Sequence, residues 1–570
     1  MTAEFNDLRA ADRSCPSPVL ILGAGINGAA LARELVLGGL PVVVVDTGDL
    51  ARGATAYSSR LIHGGLRYLE YGEFDLVRES LAERTRLLRL APHLVRPLKL
   101  FIPVRNRWGG VLESARRFFK RPPKPGAKPA ERGLWLVRAG LTLYDWYARD
   151  PALPRHHVLS PQNPTAPPVD ARRYRSLCAY YDAQVRYPER FVVALLDDAD
   201  RLAAEQKIEF RVLTYHRAAL DGSRITIHPI AGDEAAPPVA PFQPAAIVNA
   251  TGAWVDLTLA ELHVPAARLM GGTKGSHLVT SHAGLRAAVS EGGIYSEAAD
   301  GRPVFILPFG RSTLVGTTDL PYSGDPADAV ATEREIDYLV SAVNLVFPQL
   351  GFTHSDIDLH YSGVRPLPHV DETTPAAITR RHWLAEHPGG AVPLFSVVGG
   401  KLTTCRSLAE TAAATLRTRL GMRAAPRTSR DRFLPGGEGY PADDASTERF
   451  VRDLAERTGF ARDQVRAVWE LRGTQTGDIL AYADRERTSV PGTDIPRGVV
   501  RWVIEREWVR RLDDLVERRL MLLYDPRLSE TTLRALAELL VESELLSTDQ
   551  IDSAVRETVE RLRRHFAKKV

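Results

Sequence analysis

Uniformly apolar runs punctuate a chain in which polar and apolar residues are otherwise closely mixed. Val19–Leu22, Val42–Val45 and Leu394–Val398 are entirely or nearly apolar, and Ala245–Asp256 opens the same way. Short runs of this kind, bounded by glycine or a polar residue, predict strands buried on both faces. Gly23-Ala-Gly25-Ile26-Asn27-Gly28 follows the first run at once. Ala29–Leu37 then reads as a helix that Gly38 and Gly39 end, so the opening unit is strand, glycine turn, helix, strand. Val304–Pro308 and Thr313–Val315 alternate instead, which predicts a hairpin joined near Gly310.

Past Arg430 the pattern changes. The stretch DRFLPGGEGYPADDAS is a linker rich in Gly, Pro and Asp, and helical periodicity dominates beyond it. Ser446-Thr447 are placed to cap a helix over Glu448–Arg457 that Gly459 ends. Val500, Val503, Ile504, Trp508, Leu512, Leu515 and Leu520 fall near one face of a second, at steps of three or four. Ser529–Leu540 and Asp549–Phe566 predict two more amphipathic helices. No internal repeat is present.

Composition narrows the class. With 570 residues the chain is too long for one core, and 44% hydrophobic with 25% charged residues fits a soluble globular protein. A net charge of +4, from 74 basic and 70 acidic residues mixed along the chain, gives no reason to expect nucleic acid as a partner. Three scattered cysteines, Cys15, Cys178 and Cys405, make neither a disulfide framework nor a metal site and fit a reducing cytosol. The N-terminal segment mixes charges without an apolar core, so no secretory signal is expected. No stretch is long and apolar enough to span a bilayer.

The glycine turn carries chemistry. Gly23 permits a tight turn, Gly25 lets backbone approach a pyrophosphate, and Gly28 lets helix and strand pack closely. The helix N-terminus offers free N–H groups and a positive dipole to phosphates. Asp46, ending the second strand, is placed to accept from a ribose. These features predict a dinucleotide site without deciding between FAD and NAD. Ala250-Thr251-Gly252 and Gly399-Gly400, each ending a later strand, suggest the same sheet returning to the cofactor. Lys401 stands beside the second of these turns.

The segments GAGINGAALARE, SSRLIHGGLRYLE, APHLVRPL, NATGAWVD, GTKGSHLV, GTTD, YSGVRPL, AITR and GGKLTT occur in this order. Together they resemble the FAD-dependent glycerol-3-phosphate dehydrogenases of aerobic metabolism, within the D-amino-acid-oxidase-like flavoprotein superfamily. The resemblance covers most of residues 18–435 and continues through EREWVRRLDDLVERRLMLLYD. It implies an α/β fold: a Rossmann-like FAD-binding domain, an inserted β-rich cap that binds substrate, and an all-α C-terminal domain. The expected boundaries are 18–71, 165–258 and 362–430 for the first, 72–164 and 259–361 for the second, and 431–570 for the third.

The resemblance further implies non-covalent FAD, and hydride transfer from C2 of sn-glycerol 3-phosphate to give dihydroxyacetone phosphate. Electrons would pass to a membrane quinone, with the enzyme peripheral on the cytoplasmic face of the cell membrane. Cofactor contacts are then expected from Gly23, Gly25, Ile26, Asn27, Gly28 and Asp46, and from Ser58, Ser59, His63, Gly64 and Gly65, where the two glycines would leave room for the flavin. Ala250, Thr251, Gly252, Gly400, Leu402 and Thr403 complete that set. A histidine with a pKa near neutrality suits removal of the hydroxyl proton, which makes His63 the first candidate base and His277 the second. Arg67, Tyr68, Arg365, Arg380 and Lys401 are the expected phosphate and hydroxyl ligands, since arginine matches phosphate oxygens with paired donors. Lys274 is placed to meet the anionic reduced flavin. No metal is expected.

Two departures stand out. Asp46 replaces the glutamate of many members, and the insert Arg116–Gly133 has no counterpart. That insert gathers Arg116, Arg117, Lys120, Arg121, Lys124, Lys128 and Arg132 around Phe118 and Phe119, a pattern suited to an anionic membrane surface. A homodimer is compatible with the sequence. Competing readings are an oxidase that reduces O2, an enzyme of the same fold acting on another 2-hydroxy acid or an amine, and a non-catalytic FAD-binding interaction module.

Overall fold

The apolar runs assemble side by side. In a computed structural model, which describes residues 17–109, 132–148, 150, 153–230, 239–370, 381–423, 425 and 427–570, Val19–Leu22 lies between Val42–Val45 and Ala246–Asn249, parallel to both. Leu394–Val398 adds to the Ala246–Asn249 edge, Phe210–Leu213 adds beyond Val42–Val45, and Trp383–His387 closes the sheet antiparallel. Leu20 faces Ile247 on one side and Val43 on the other, and all three are buried. Helices cover one face: Ile26–Leu37 packs between Pro188–Gln206 and Cys405–Arg419 over a core that includes Ile21, Val44 and Val248. A three-stranded sheet containing Arg224–Pro229 and the short helix Val255–Glu261 cover the other. Strand periodicity of two aims alternate residues at these two layers, which is why each strand reads as continuously apolar.

A second, larger sheet of ten strands, eight in hydrogen-bonded order and two pairing off that path, lies beside the first. The predicted hairpin is there, as Pro303–Phe309 and Ser312–Gly316, with Gly310 at φ +58° in the turn. The long strands Val95–Val104 and Ser176–Val185 pair antiparallel along their length. Thr273–Thr280 pairs with Leu359–Arg365, and Leu61–Ile62 ends the sheet against Ser176–Val185. Residues 165–258 therefore contribute strands to both sheets.

The C-terminal part is helical, with two corrections. The first helix is Asp444–Thr458, and its cap is Asp443, whose side chain accepts from the Ser446 N–H. An aspartate three residues upstream of a serine competes for the same role, and here it wins. Gly459 ends the helix at φ +69°, as expected. The stripe from Val500 to Leu520 does not lie on one helix. Arg497–Arg506 stops, Trp508 turns left-handed at φ +52°, and a new segment begins at Leu512. The break lets Glu507, Arg518 and Arg519 all point inward to buried ionic partners. Glu530–Glu542, capped by Ser529, and Ile551–Phe566 complete the region. Cys178 and Cys405 are buried free thiols whose pKa burial pushes up to about 12, so both are inert.

Candidate active site at the glycine turns

The turn after the first strand is shaped for a phosphate. Gly23 has φ +104°, and a Cβ there would sit 2.8 Å from the Ala250 carbonyl oxygen. One on Gly28 would sit 1.9 Å from the carbonyl of Gly23. At Gly25 the situation is opposite: the nearest atom is Thr55 Oγ1 at 3.4 Å, so the backbone stands open. Gly25 is also the N-cap of Ile26–Leu37 and supplies no side chain to the first-turn N–H groups. Ile26 N–H donates to Thr55 Oγ1 at 3.1 Å. The buried Asn27 Oδ1 has no partner within the protein, and Asn27 Nδ2 approaches Gly400, itself at φ +101°. At the second turn, Thr404 Oγ1 is likewise buried without a partner at the uncapped start of Cys405–Arg419. An open backbone and orphaned polar atoms, at two helix N-termini, fit the pyrophosphate and polar edges of FAD.

Asp46 is half-buried, and its two carboxylate oxygens accept from the Ala24 and Gly48 N–H groups at 2.7 and 2.8 Å. Each oxygen keeps a lone pair for a ribose hydroxyl. Thr251 hydrogen-bonds Asn249, and Gly252 at φ +64° leaves its Cβ position clear.

The segment from Ser58 to Tyr68 carries Leu61–Ile62, the strand that ends the larger sheet. Arg60, left-handed at φ +58° and fully buried, fixes it: its guanidinium donates to Glu189 at 2.8 and 3.1 Å, to the Arg186 carbonyl at 2.7 Å and to Tyr524 Oη at 2.6 Å. Beyond Arg60, His63 N–H donates to Thr403 Oγ1 at 3.1 Å, which brings the segment against the second glycine turn. Burial lowers the His63 pKa to about 4; nearby Asp182 opposes the shift, and the Lys401 and Arg84 cations reinforce it. The imidazole is therefore neutral at pH 7 and free to accept a proton. Lys401 Nζ lies over the Tyr68 ring, 4.1 Å from its centre. His63, Tyr68, Lys401 and Thr403 thus gather at one place.

His277 is differently situated. It is 2% exposed, stacked on Tyr361 with ring centres 4.9 Å apart, and bonded through Nε2 to Ser59 Oγ at 2.9 Å. Its pKa is driven well down by burial and then by the Arg365 and Arg60 cations. Arg365 pairs with Asp319 at 2.9 Å and donates to Thr317 Oγ1 at 2.9 Å. Lys274 is committed to Glu335 at 2.8 Å and to the Val330 carbonyl. A side chain at Gly64 would strike Leu81 and Tyr144, and one at Gly65 would strike the Tyr68 ring, so these glycines admit the protein's own side chains. The Arg67 backbone lies in the short 3-10 helix Leu66–Tyr71, whereas its side chain, Arg380 and the basic insert lie outside the described residues, except that Arg132 pairs with Glu297.

Thr55, Tyr144 and Asp182 also belong to this neighbourhood. Thr55 sits in a small-residue stretch, a signal of close approach; Tyr144 and Asp182 carry no local signature.

Comparison with known proteins agrees with this geometry. Residues 18–406 match the profile of the DAO family, FAD dependent oxidoreductases, and the chain belongs to that family. Its relatives point to one group within it. The chain is 34% identical over 533 residues to a glycerol-3-phosphate dehydrogenase of Synechocystis, covering 88% of each chain. It is 32% identical to the aerobic glycerol-3-phosphate dehydrogenase of Escherichia coli and 32% to D-erythritol 1-phosphate dehydrogenase of Brucella abortus, in both cases over 88% of this chain and 93% of the relative. The fold matches the crystal structure of glycerol-3-phosphate dehydrogenase from Bacillus halodurans complexed with FAD, with a TM-score of 0.70 at 21% identity over 96% of this chain and 95% of that one. The protein is thus an FAD-dependent oxidoreductase with the α/β architecture and helical C-terminal region expected from its sequence.

Proposed function

We propose that the protein oxidises sn-glycerol 3-phosphate at C2 to dihydroxyacetone phosphate and passes the electrons to a membrane quinone. The observation that carries this reading is the gathering of His63, Thr403, Lys401 and Tyr68 beside the second glycine turn, with His63 N–H on Thr403 Oγ1 and Lys401 Nζ 4.1 Å from the Tyr68 ring centre. FAD, when bound, accepts the hydride from C2. Gly25 and the first turn of Ile26–Leu37 would hold its pyrophosphate, with Asp46 on the ribose and Asn27, Ser58, Gly400 and Thr403 lining the remainder. An imidazole nitrogen of His63 takes the hydroxyl proton as the C–H bond breaks. Its packed position makes His277 a support for Ser59 on this reading, rather than the base. Lys401 and Arg365 bind the phosphate, with Tyr68 orienting the lysine; Arg365 exchanges part of its contact with Asp319 for the ligand. Arg67 and Arg380 are retained as phosphate ligands.

On this reading the FAD-binding unit is drawn from residues 18–71, 165–258 and 362–430, the cap from 72–164 and 259–361, and the helical unit from 431–570. Among the described residues no helix is long and apolar enough to cross a membrane. Trp108, Trp135 and Trp146 are 73%, 46% and 56% exposed and flank or follow the basic insert. The last two lie about three turns apart on one face of Leu134–Ala148. Interfacial tryptophans beside basic residues suit peripheral contact with anionic lipid.

The relative named for D-erythritol 1-phosphate supports a second substrate of the same class, a longer polyol phosphate. Anaerobic mixing of the holoenzyme with each compound decides. Glycerol 3-phosphate is expected to bleach the flavin absorbance fastest, D-erythritol 1-phosphate more slowly, and glycerol hardly at all. Equal bleaching by glycerol would remove the phosphate from the reading. Reoxidation faster with a soluble quinone than with air is the expected outcome for a dehydrogenase, and the reverse defines an oxidase.

A further inference from the structure

Directly behind His63 the protein buries a charged cluster for which packing gives no need. Asp182, on Ser176–Val185, is 1% exposed, as are Arg84 on Phe74–Leu90 and Tyr144 on Leu134–Ala148. Three donors converge on one oxygen, Asp182 Oδ1: Tyr144 Oη at 2.5 Å, Arg84 Nη1 at 3.0 Å and the Gly64 N–H at 3.4 Å. The same Gly64 N–H makes its shorter bond, 2.9 Å, to Tyr144 Oη. A second Arg84 bond, 2.9 Å to the Tyr181 carbonyl, keeps the guanidinium in place. Two elements therefore hold the amide that follows His63, and a third, through Arg84, holds Asp182. Burying a carboxylate and a guanidinium costs several kcal/mol per ion before their attraction is counted, and an apolar replacement is often as stable.

We propose that Tyr144 and Asp182 are positioning residues for proton transfer: Tyr144 fixes the Gly64 amide and hence the placement of His63, and the Asp182 carboxylate stabilises the imidazolium that His63 becomes when it takes the hydroxyl proton. The proposal rests on His63 being the base. Its electrostatic side follows from the groups around the ring. Lys401 from the second glycine turn and Arg84 from the helix both disfavour a charged imidazole; Asp182 favours it, and Tyr144 is neutral. Proton transfer creates a third cation in this cluster, and Asp182 is the anion that answers it.

The test compares Asp182→Asn, Tyr144→Phe and His63→Ala as FAD-loaded enzymes. Anaerobic flavin reduction is measured across pH, and the His63 ring is titrated by NMR in 13C-histidine-labelled protein. Asp182→Asn is expected to lower flavin reduction at least tenfold and to move the His63 titration down by about one pH unit. Tyr144→Phe keeps the charge. It is expected to lower kcat severalfold or more at unchanged KM, with a far smaller movement of the titration. If both variants reduce flavin within twofold of wild type and the His63 titration does not move, while His63→Ala is inactive, the cluster is packing alone and the proposal is overturned. If His63→Ala itself stays near wild type, the assignment of the base fails first and takes this proposal with it. Should Asp182→Asn not fold, Tyr144→Phe with unchanged kcat suffices to reject the positioning role.

Discussion

Arg519 and Asp49, 470 residues apart in the chain, form a two-pronged ion pair at 2.7 and 2.8 Å with neither side chain exposed. Arg518 reaches the same carboxylate at 2.6 Å. Asp49 lies in the loop that begins at Asp46, so the helical C-terminal region grips the loop that carries Asp46. Removing one partner of a buried pair costs about 3–5 kcal/mol. Asp49→Ala leaves Arg519 without a carboxylate while Arg518 keeps Glu517, and Arg519→Met leaves Asp49 paired with Arg518, so the first is expected to lower the urea midpoint more. Both are expected to weaken FAD binding, read by fluorescence titration of the apoprotein. Full FAD affinity in a folded Asp49→Ala variant would detach the C-terminal region from the cofactor site.

Gly25 and Gly28 separate binding from folding. The Cβ position at Gly25 has one neighbour, at 3.4 Å, whereas that at Gly28 overlaps a carbonyl oxygen at 1.9 Å. Gly25→Val is expected to give folded, colourless protein, and Gly28→Val to give insoluble protein. Circular dichroism and the absorbance near 450 nm distinguish them. A yellow Gly25→Val protein would move the pyrophosphate elsewhere.

His63→Ala is expected to slow flavin reduction by about 10²–10⁴-fold, the loss typical of a general base, with FAD retained. Since the folded-state pKa lies near 4, below the ordinary value of 6.5, the base is in its active, neutral form throughout the neutral range. The wild-type rate should then be flat in pH from about 6 upward as far as this group is concerned. A threefold loss in the alanine variant would make His63 structural.

On the proposed reading, Lys401 and Arg365 are two of the phosphate ligands. A charge-assisted hydrogen bond contributes about 1.5–3 kcal/mol, or about 10- to 150-fold in affinity. Lys401→Met and Arg365→Ala should each raise Kd for glycerol 3-phosphate within that range and leave the slow reaction of glycerol unchanged. An equal loss on both substrates would mean that the residue does not touch the phosphate. Arg365→Ala also strands Asp319, so its thermal midpoint should fall further than that of Lys401→Met.

Acid stability should follow the buried histidines whose pKa values the fold lowers, His63, His93 and His277 foremost. Burial and then the Arg472, Arg190 and Arg96 cations lower His93 to about 3, and His63 lies near 4. Between those values and about 6.5 the unfolded chain binds protons that the folded chain refuses, so stability rises with pH across that window and levels above it. Each histidine adds a slope of about 1.4 kcal/mol per pH unit. Urea unfolding at steps from pH 5 to 7.5 measures it, and His93→Gln should lower the slope by that one histidine's share. An unchanged slope in that variant would place the titrating groups elsewhere.

Local chemistry made much of this legible. Strands buried on both faces, the glycine turn, the hairpin at Gly310 and the cap at Gly459 each depend on residues within a few positions of one another. Fold class and cofactor followed from them and from the family resemblance. What was not legible depends on partners distant in sequence. Nothing near Asp49 announces Arg519, and nothing near Gly64 announces Tyr144 or Asp182. Helical periodicity likewise carried the Val500–Leu520 stripe straight through Trp508, because spacing does not record that buried arginines must turn inward there. Lys274 shows the same limit in reverse: a motif lysine whose charge is spent on Glu335.

The guanidinium of Arg60 also sets an order of events during synthesis. Its carboxylate partner, Glu189, and its hydroxyl partner, Tyr524, leave the ribosome long after it does. Until Tyr524 emerges, the segment that leads to His63 lacks one of the contacts that anchor it. Tight retention of flavin is then expected to mature late, so a ribosome stalled before Tyr524 should hold FAD more weakly than the released chain does.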